Sequence, residues 1–131
     1  MPTRRHANIV VAYLTDKGET VSVAESVTGG GLGHAITFTP GSSQVFLGGI
    51  IAYTNTVKTE ILGIDSHLIS EFTVVSEEVA NAMADAVREK FGTTWGIATT
   101  GIAGPGDHEG IAEGTDRKST RLNSSHDQRS R

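Results

Sequence analysis

Three short segments rich in apolar and β-branched residues, 20–24, 48–53 and 95–100, alternate with stretches of helical spacing, and this constrains the chain most. Short strands separated by helices predict an α/β protein layered on a sheet. In such sheets ligands gather at the loops that leave the strand C-terminal ends. The helical stretches have recognisable limits. Residues 3–17 place Ile9, Val10, Tyr13 and Leu14 on one face and stop at Gly18. A second helix runs to about Phe38, and residues 55–62 form a short one closed by Gly63. Asp65 caps a turn through Ile69. The clearest helix spans 76–91: Ser76 is a natural N-cap, and Glu77 and Glu78 suit the first turn. In it Val79, Met83, Val87 and Phe91 recur every four residues before Gly92 ends it.

At 131 residues the chain is long enough for one domain with a core of its own. It has no cysteine, so disulfides and thiolate metal sites are excluded. No apolar run approaches the roughly 18 residues of a membrane span. The N-terminus lacks the apolar stretch and cleavage site of a signal peptide, so the expected location is cytoplasmic. The net charge of −4 is unevenly placed: residues 1–115 are strongly acidic, whereas 116–131 hold five Lys or Arg against two Asp. An acidic body disfavours nucleic acid as a partner. Leu122 is the only sizeable apolar residue in 116–131, so that basic tail is expected to be disordered and foreign to the domain at 1–115.

Three glycine-rich turns stand beside the strands, at 26–31, 41–43 and 99–106. Glycine lets a ligand approach backbone amides closely. Neither the dinucleotide nor the P-loop spacing is present. Hydroxyls cluster in the turns: Ser26, Thr28, Ser42, Ser43, Thr99 and Thr100. No histidine lies in a motif, and the five histidines lack metal-ligand spacing, so no metal and no cofactor are expected. A serine nucleophile here needs another base. Lysine serves if burial lowers its pKa, and Lys58 is the only lysine between Lys17 and Lys90.

The ordered blocks Ala24-Glu25-Ser26-Val27-Thr28-Gly29-Gly30, Pro40-Gly41-Ser42-Ser43, Gly48-Gly49 with Tyr53-Thr54-Asn55 and Lys58, Val75-Ser76, and Thr100 to Pro105 resemble the CinA C-terminal domain. The resemblance covers about residues 7–115. It implies a three-layer α/β/α sandwich with a mixed, mostly parallel sheet, here lacking its last strand and helices. It also implies hydrolysis of the amide of nicotinamide mononucleotide, so the expected partner is a small nucleotide substrate, with homo-oligomers left open.

Carried over by motif, Ser43 is the expected nucleophile, Lys58 its base, and Tyr53 the group that polarises or orients Lys58. Ser26, which ends a strand in a tight turn, is the rival nucleophile. Thr28, Gly29 and Gly30 are expected to bind substrate from one side, with Thr100 and Gly101 closing the other. The chain departs from the family at Val27, where cysteine is common, and at Ile111-Ala112-Glu113, where Lys-Pro-Val is usual. Two alternatives stand beside the amidase: a non-catalytic nucleotide-binding or assembly module, and an inactive fragment.

Overall fold

The computed structural model describes residues 4–101 and 116–122. In chain order the elements are α1 (Arg4–Lys17), β1 (Val21–Glu25), α2 (Gly31–Thr37), a 3-10 turn (Ser42–Gln44), β2 (Phe46–Ile51), α3 (Asn55–Glu60), α4 (Ser66–Phe72), α5 (Glu77–Phe91), β3 (Trp95–Gly101) and β4 (Asp116–Leu122). The sheet order is β2-β1-β3-β4. The first three strands are parallel, and β4 runs antiparallel to β3. The expected α/β fold with a mixed, mostly parallel sheet is therefore present.

Side-chain alternation along β1 separates the two faces of the sheet. Val21 and Val23 join Val11 and Leu14 of α1 and Leu32 and Ile36 of α2 in one apolar cluster. Ala24 and Ala98 join Val79, Met83, Ala84 and Val87 of α5 and Leu62, Ile64 and Ile69 in the other. Ser22 also points to the α5 face, where its hydroxyl donates to the Val87 carbonyl at 3.1 Å. Helix α5 lies close on β3: a Cβ at Gly96 would meet the Ala84 carbonyl oxygen, and Arg88 Cβ at 2.8 Å. This contact, rather than any turn, requires the glycine.

Helix α5 starts as its sequence predicts, with Ser76 Oγ accepting from Val79 N at 3.1 Å and Gly92 closing it in the left-handed region. Two expectations are corrected. The buried face of α1 is Ala7, Val11 and Leu14, whereas Ile9, Val10 and Tyr13 are exposed. Three of the four residues assigned to the inner face thus point outward, because Ala7 and Val11 define the stripe. Second, Asp116–Leu122 is strand rather than disordered tail, and every residue of it pairs with one of Trp95–Gly101. Poverty in apolar side chains does not prevent this, because a strand beside an open edge is held by backbone hydrogen bonds. The third glycine-rich turn beyond Gly101, the departures at 111–113 and the end of the tail lie outside the described residues.

Candidate active site

Residues that follow parallel strands share one end of the sheet. Ser26 follows β1, Tyr53 and Lys58 follow β2, and Thr99 to Gly101 end β3. Ser26 is pinned on both sides: its amide donates to the Thr99 carbonyl at 3.0 Å, and its carbonyl accepts from Gly29 N at 3.0 Å. By strand alternation its side chain leaves on the α5 face, as Ala24 does. There it meets Lys58.

Lys58 projects from α3, a short helix that Thr54 starts by accepting from Val57 N at 3.2 Å. The lysine is 1% exposed. Its Nζ donates to Ser26 Oγ at 3.1 Å and to the Tyr53 carbonyl at 3.1 Å. No carboxylate stands within ion-pairing distance of it among the described residues. Burial without a counter-charge pushes its pKa down from 10.5 to about 8. A lysine so placed is neutral in a minority of molecules near physiological pH, far more often than an exposed lysine, and that neutral form can accept the proton of a hydroxyl it touches.

Ser43 does not share this end. It is exposed in the 3-10 turn that precedes β2. Val21 pairs with Phe46 and Glu25 with Ile51, so the turn lies where the strands begin and Ser26 where they end. At about 3.3 Å per residue, five residues of strand separate the two ends by roughly 16 Å. The Ser43–Lys58 pairing expected from sequence is corrected to Ser26–Lys58. Tyr53 touches Lys58 through its backbone carbonyl and not its side chain, and the residue itself is 67% exposed.

The remaining residues divide by face. Thr100 leaves β3 on the same face as Ser26, and its hydroxyl donates to the Val74 carbonyl at 3.0 Å. Its proton is thereby committed to holding the chain that leads into α5. The Thr28 hydroxyl lies 2.8 Å from Thr99 Oγ1 and donates to Glu25 Oε1 at 2.5 Å. Gly29 and Gly30 have φ of 58° and 106° and shape the turn. Their amides are used within it, on the Ser26 carbonyl and on Glu25 Oε1 at 3.1 Å, so they do not face a ligand as expected. Gly101 ends β3 and pairs with Asp116. By contrast, the amides of Val27 and Thr28 donate to no group among the described residues. Sequence reasoning passed over both amides and Glu25. The signal for the latter was a carboxylate that directly precedes a glycine-rich turn and helix start.

A further hollow lies elsewhere. About 740 Å³ in volume, it sits between α1 and residues 39–44, lined among others by Asn8, Asp16, Thr39 and Gln44. It offers no lysine or histidine. Two observations favour the Ser26 end over it: a serine hydroxyl and a buried lysine in contact, and a lysine whose pKa is displaced towards neutrality.

An α/β domain carrying a buried serine–lysine pair where its parallel strands end now has a family. The CinA C-terminal domain family matches residues 3–117, and the chain belongs to it. A CinA-like protein of Synechocystis is 58% identical over 100 residues, which are 76% of this chain and 24% of that relative. One from Parasynechococcus marenigrum is 51% identical over 112 residues, 86% of this chain and 25% of the relative. The chain thus spans about a quarter of the length of these relatives. Among solved structures it resembles the competence/damage inducible protein CihA from Agrobacterium tumefaciens. The TM-score is 0.87 at 33% identity, over 91% of this chain and 73% of the other. A competence or damage-inducible protein from Enterobacter asburiae gives 0.89 at 27% identity, over 100% of this chain and 81% of the other. No helix among the described residues is long and apolar enough to cross a membrane.

Proposed function

We propose that this domain hydrolyses a carboxamide by a serine–lysine mechanism, with nicotinamide mononucleotide as substrate and nicotinate mononucleotide and ammonia as products. The observation that carries the reaction type is the 3.1 Å contact between Lys58 Nζ and Ser26 Oγ, made by a buried lysine without a counter-charge. The substrate rests on the family resemblance and on the absence, among the motifs, of phosphate-transfer or dinucleotide signatures.

Neutral Lys58 accepts the Ser26 proton as Oγ attacks the amide carbon. The oxygen of the tetrahedral intermediate takes hydrogen bonds from the unused amides of Val27 and Thr28. This resembles the donor that directly follows the nucleophile in other serine hydrolases. The Lys58 ammonium then protonates the leaving nitrogen, and ammonia departs from an acyl-Ser26 ester. Lys58 next deprotonates a water that attacks the ester carbon, which regenerates Ser26 and releases the carboxylate. The Tyr53 carbonyl holds Nζ on this path.

The test is ammonia release from nicotinamide mononucleotide by the wild-type chain and by Ser26→Ala. Release by the wild type and its loss in the variant is the expected result. Equal rates in both would overturn the assignment.

A further inference from the structure

Glu25 is 1% exposed, and no lysine or arginine pairs with it among the described residues. A buried carboxylate without a cation needs hydrogen bonds to every available side. Glu25 obtains them from a single stretch of chain. Its Oε1 accepts from the Thr28 hydroxyl at 2.5 Å, from Gly30 N at 3.1 Å and from Leu32 N at 2.9 Å. Its Oε2 accepts from Gly33 N at 2.7 Å. The donors thus lie three, five, seven and eight residues downstream, and they span the turn that carries Ser26 and the first turn of α2. Thr28 extends the set to β3, because its oxygen also lies 2.8 Å from Thr99 Oγ1.

The consequence concerns the amides the clamp leaves out. Gly29, Gly30, Gly31, Leu32 and Gly33 all have acceptors, and Ser26 N is bonded to β3. Val27 and Thr28 alone in this stretch present N–H groups with no acceptor among the described residues. The geometry points to Glu25 as a positioning residue: by drawing the later amides of the turn onto its carboxylate, it holds the Val27 and Thr28 amides outward for the oxyanion formed on attack by Ser26. This inference rests on the serine–lysine reading above. It goes further by assigning the turn's shape to one side chain on the opposite face of the sheet.

The probe is a fluorophosphonate, which needs no particular substrate. Ser26 Oγ forms a bond to phosphorus, the P–F bond breaks, fluoride leaves and the serine proton passes to Lys58. The rate of this step depends on the same oxyanion donors. The full 131-residue chain is compared with Glu25→Gln, Thr28→Val and Asp65→Ala. The last removes an unrelated helix cap, in which Asp65 Oδ1 accepts from His67 N, and so lowers stability away from the site.

Glu25→Gln should lower the limiting labelling rate by about tenfold or more and leave the half-saturating probe concentration unchanged. Thr28→Val, which removes one donor of four, should lower it by less. Asp65→Ala should melt earlier and label at the wild-type rate. Labelling within twofold of wild type in Glu25→Gln, or an equal loss in Asp65→Ala, would overturn the positioning role. If Glu25→Gln does not fold, Thr28→Val decides: an unchanged limiting rate overturns the inference, and a selective loss supports it. A wild-type chain whose Ser26 is not labelled while it remains folded sinks the serine–lysine reading itself, and this inference with it.

Discussion

The two ends of the sheet carry similar residue types and differ in what surrounds them. Where the strands begin, the 3-10 turn presents Ser42 and Ser43 after Gly41, beside a hollow of about 740 Å³. Where they end, Ser26 meets Lys58 in a confined place where both residues are buried. The first end has an exposed serine beside open space. The second has a base that has lost its water. The two ends thus differ in what surrounds their serines, and the difference lies in solvation rather than in composition.

The strongest way to break that comparison is a pair of serine substitutions. Ser26→Ala should lower ammonia release by about a thousandfold or more, whereas Ser43→Ala should stay within about twofold. A comparable loss in both would mean that the beginning of the sheet also takes part in the chemistry.

The pH dependence sharpens it. Lys58 acts as a base only when neutral, and its pKa is lowered to about 8. The kcat/KM should therefore rise with pH through about 8 and level off above it. A profile that falls across this window would show that the lysine works in its charged form.

Stability should rise with pH as activity does. The unfolded chain holds the Lys58 proton up to pH 10.5 and the folded chain only to about 8. Between these values the unfolded state binds more protons, so stability gains with rising pH. The penalty of the buried charge is fully present below about pH 8 and gone above about 10.5. Lys58→Met should abolish turnover and raise stability near pH 7 by on the order of 1–3 kcal/mol. A thermal melt checks this, and a destabilised variant would show that the hydrogen bonds of Nζ outweigh its desolvation.

The smallest effect lies at the other end. Thr39 Oγ1 is buried and lacks a hydrogen-bond partner among the described residues. Thr39→Val should raise stability by about 0.5–1 kcal/mol and leave turnover unchanged. A loss of stability would reveal that the hydroxyl has a partner, such as an ordered water.

Much of this was legible in the residues. The cap at Ser76 and the four-residue recurrence to Phe91 define α5, because local rules and tertiary packing agree there. The failure at Ser43 is instructive, since its correction needs only strand direction. Ser42 and Ser43 precede β2, whereas Tyr53 and Lys58 follow it, and in parallel strands those positions cannot meet. Motif order conveyed the residue types but not their end of the sheet. On α1, Ile9, Val10 and Tyr13 compete with Ala7 and Val11 for the inner face, and hydrophobicity alone prefers the larger side chains. Strand β4 escaped notice because edge pairing leaves no signature in apolar content. Glu25 was invisible for a related reason: its partners are backbone amides, which every sequence has.

Glu25 and Ser26 are adjacent in the chain and serve opposite faces of the sheet. A one-residue insertion or deletion within β1 would exchange them, sending the carboxylate to the lysine and the hydroxyl to α2. The pair Glu25–Lys58 would then be an ordinary ion pair, and the lysine would keep its proton. Strand β1 therefore behaves as a reading frame: its phase, as much as its residues, decides whether Lys58 meets a hydroxyl or a carboxylate. Length variation among relatives of this domain should avoid residues 21–26 and collect in the connections on either side.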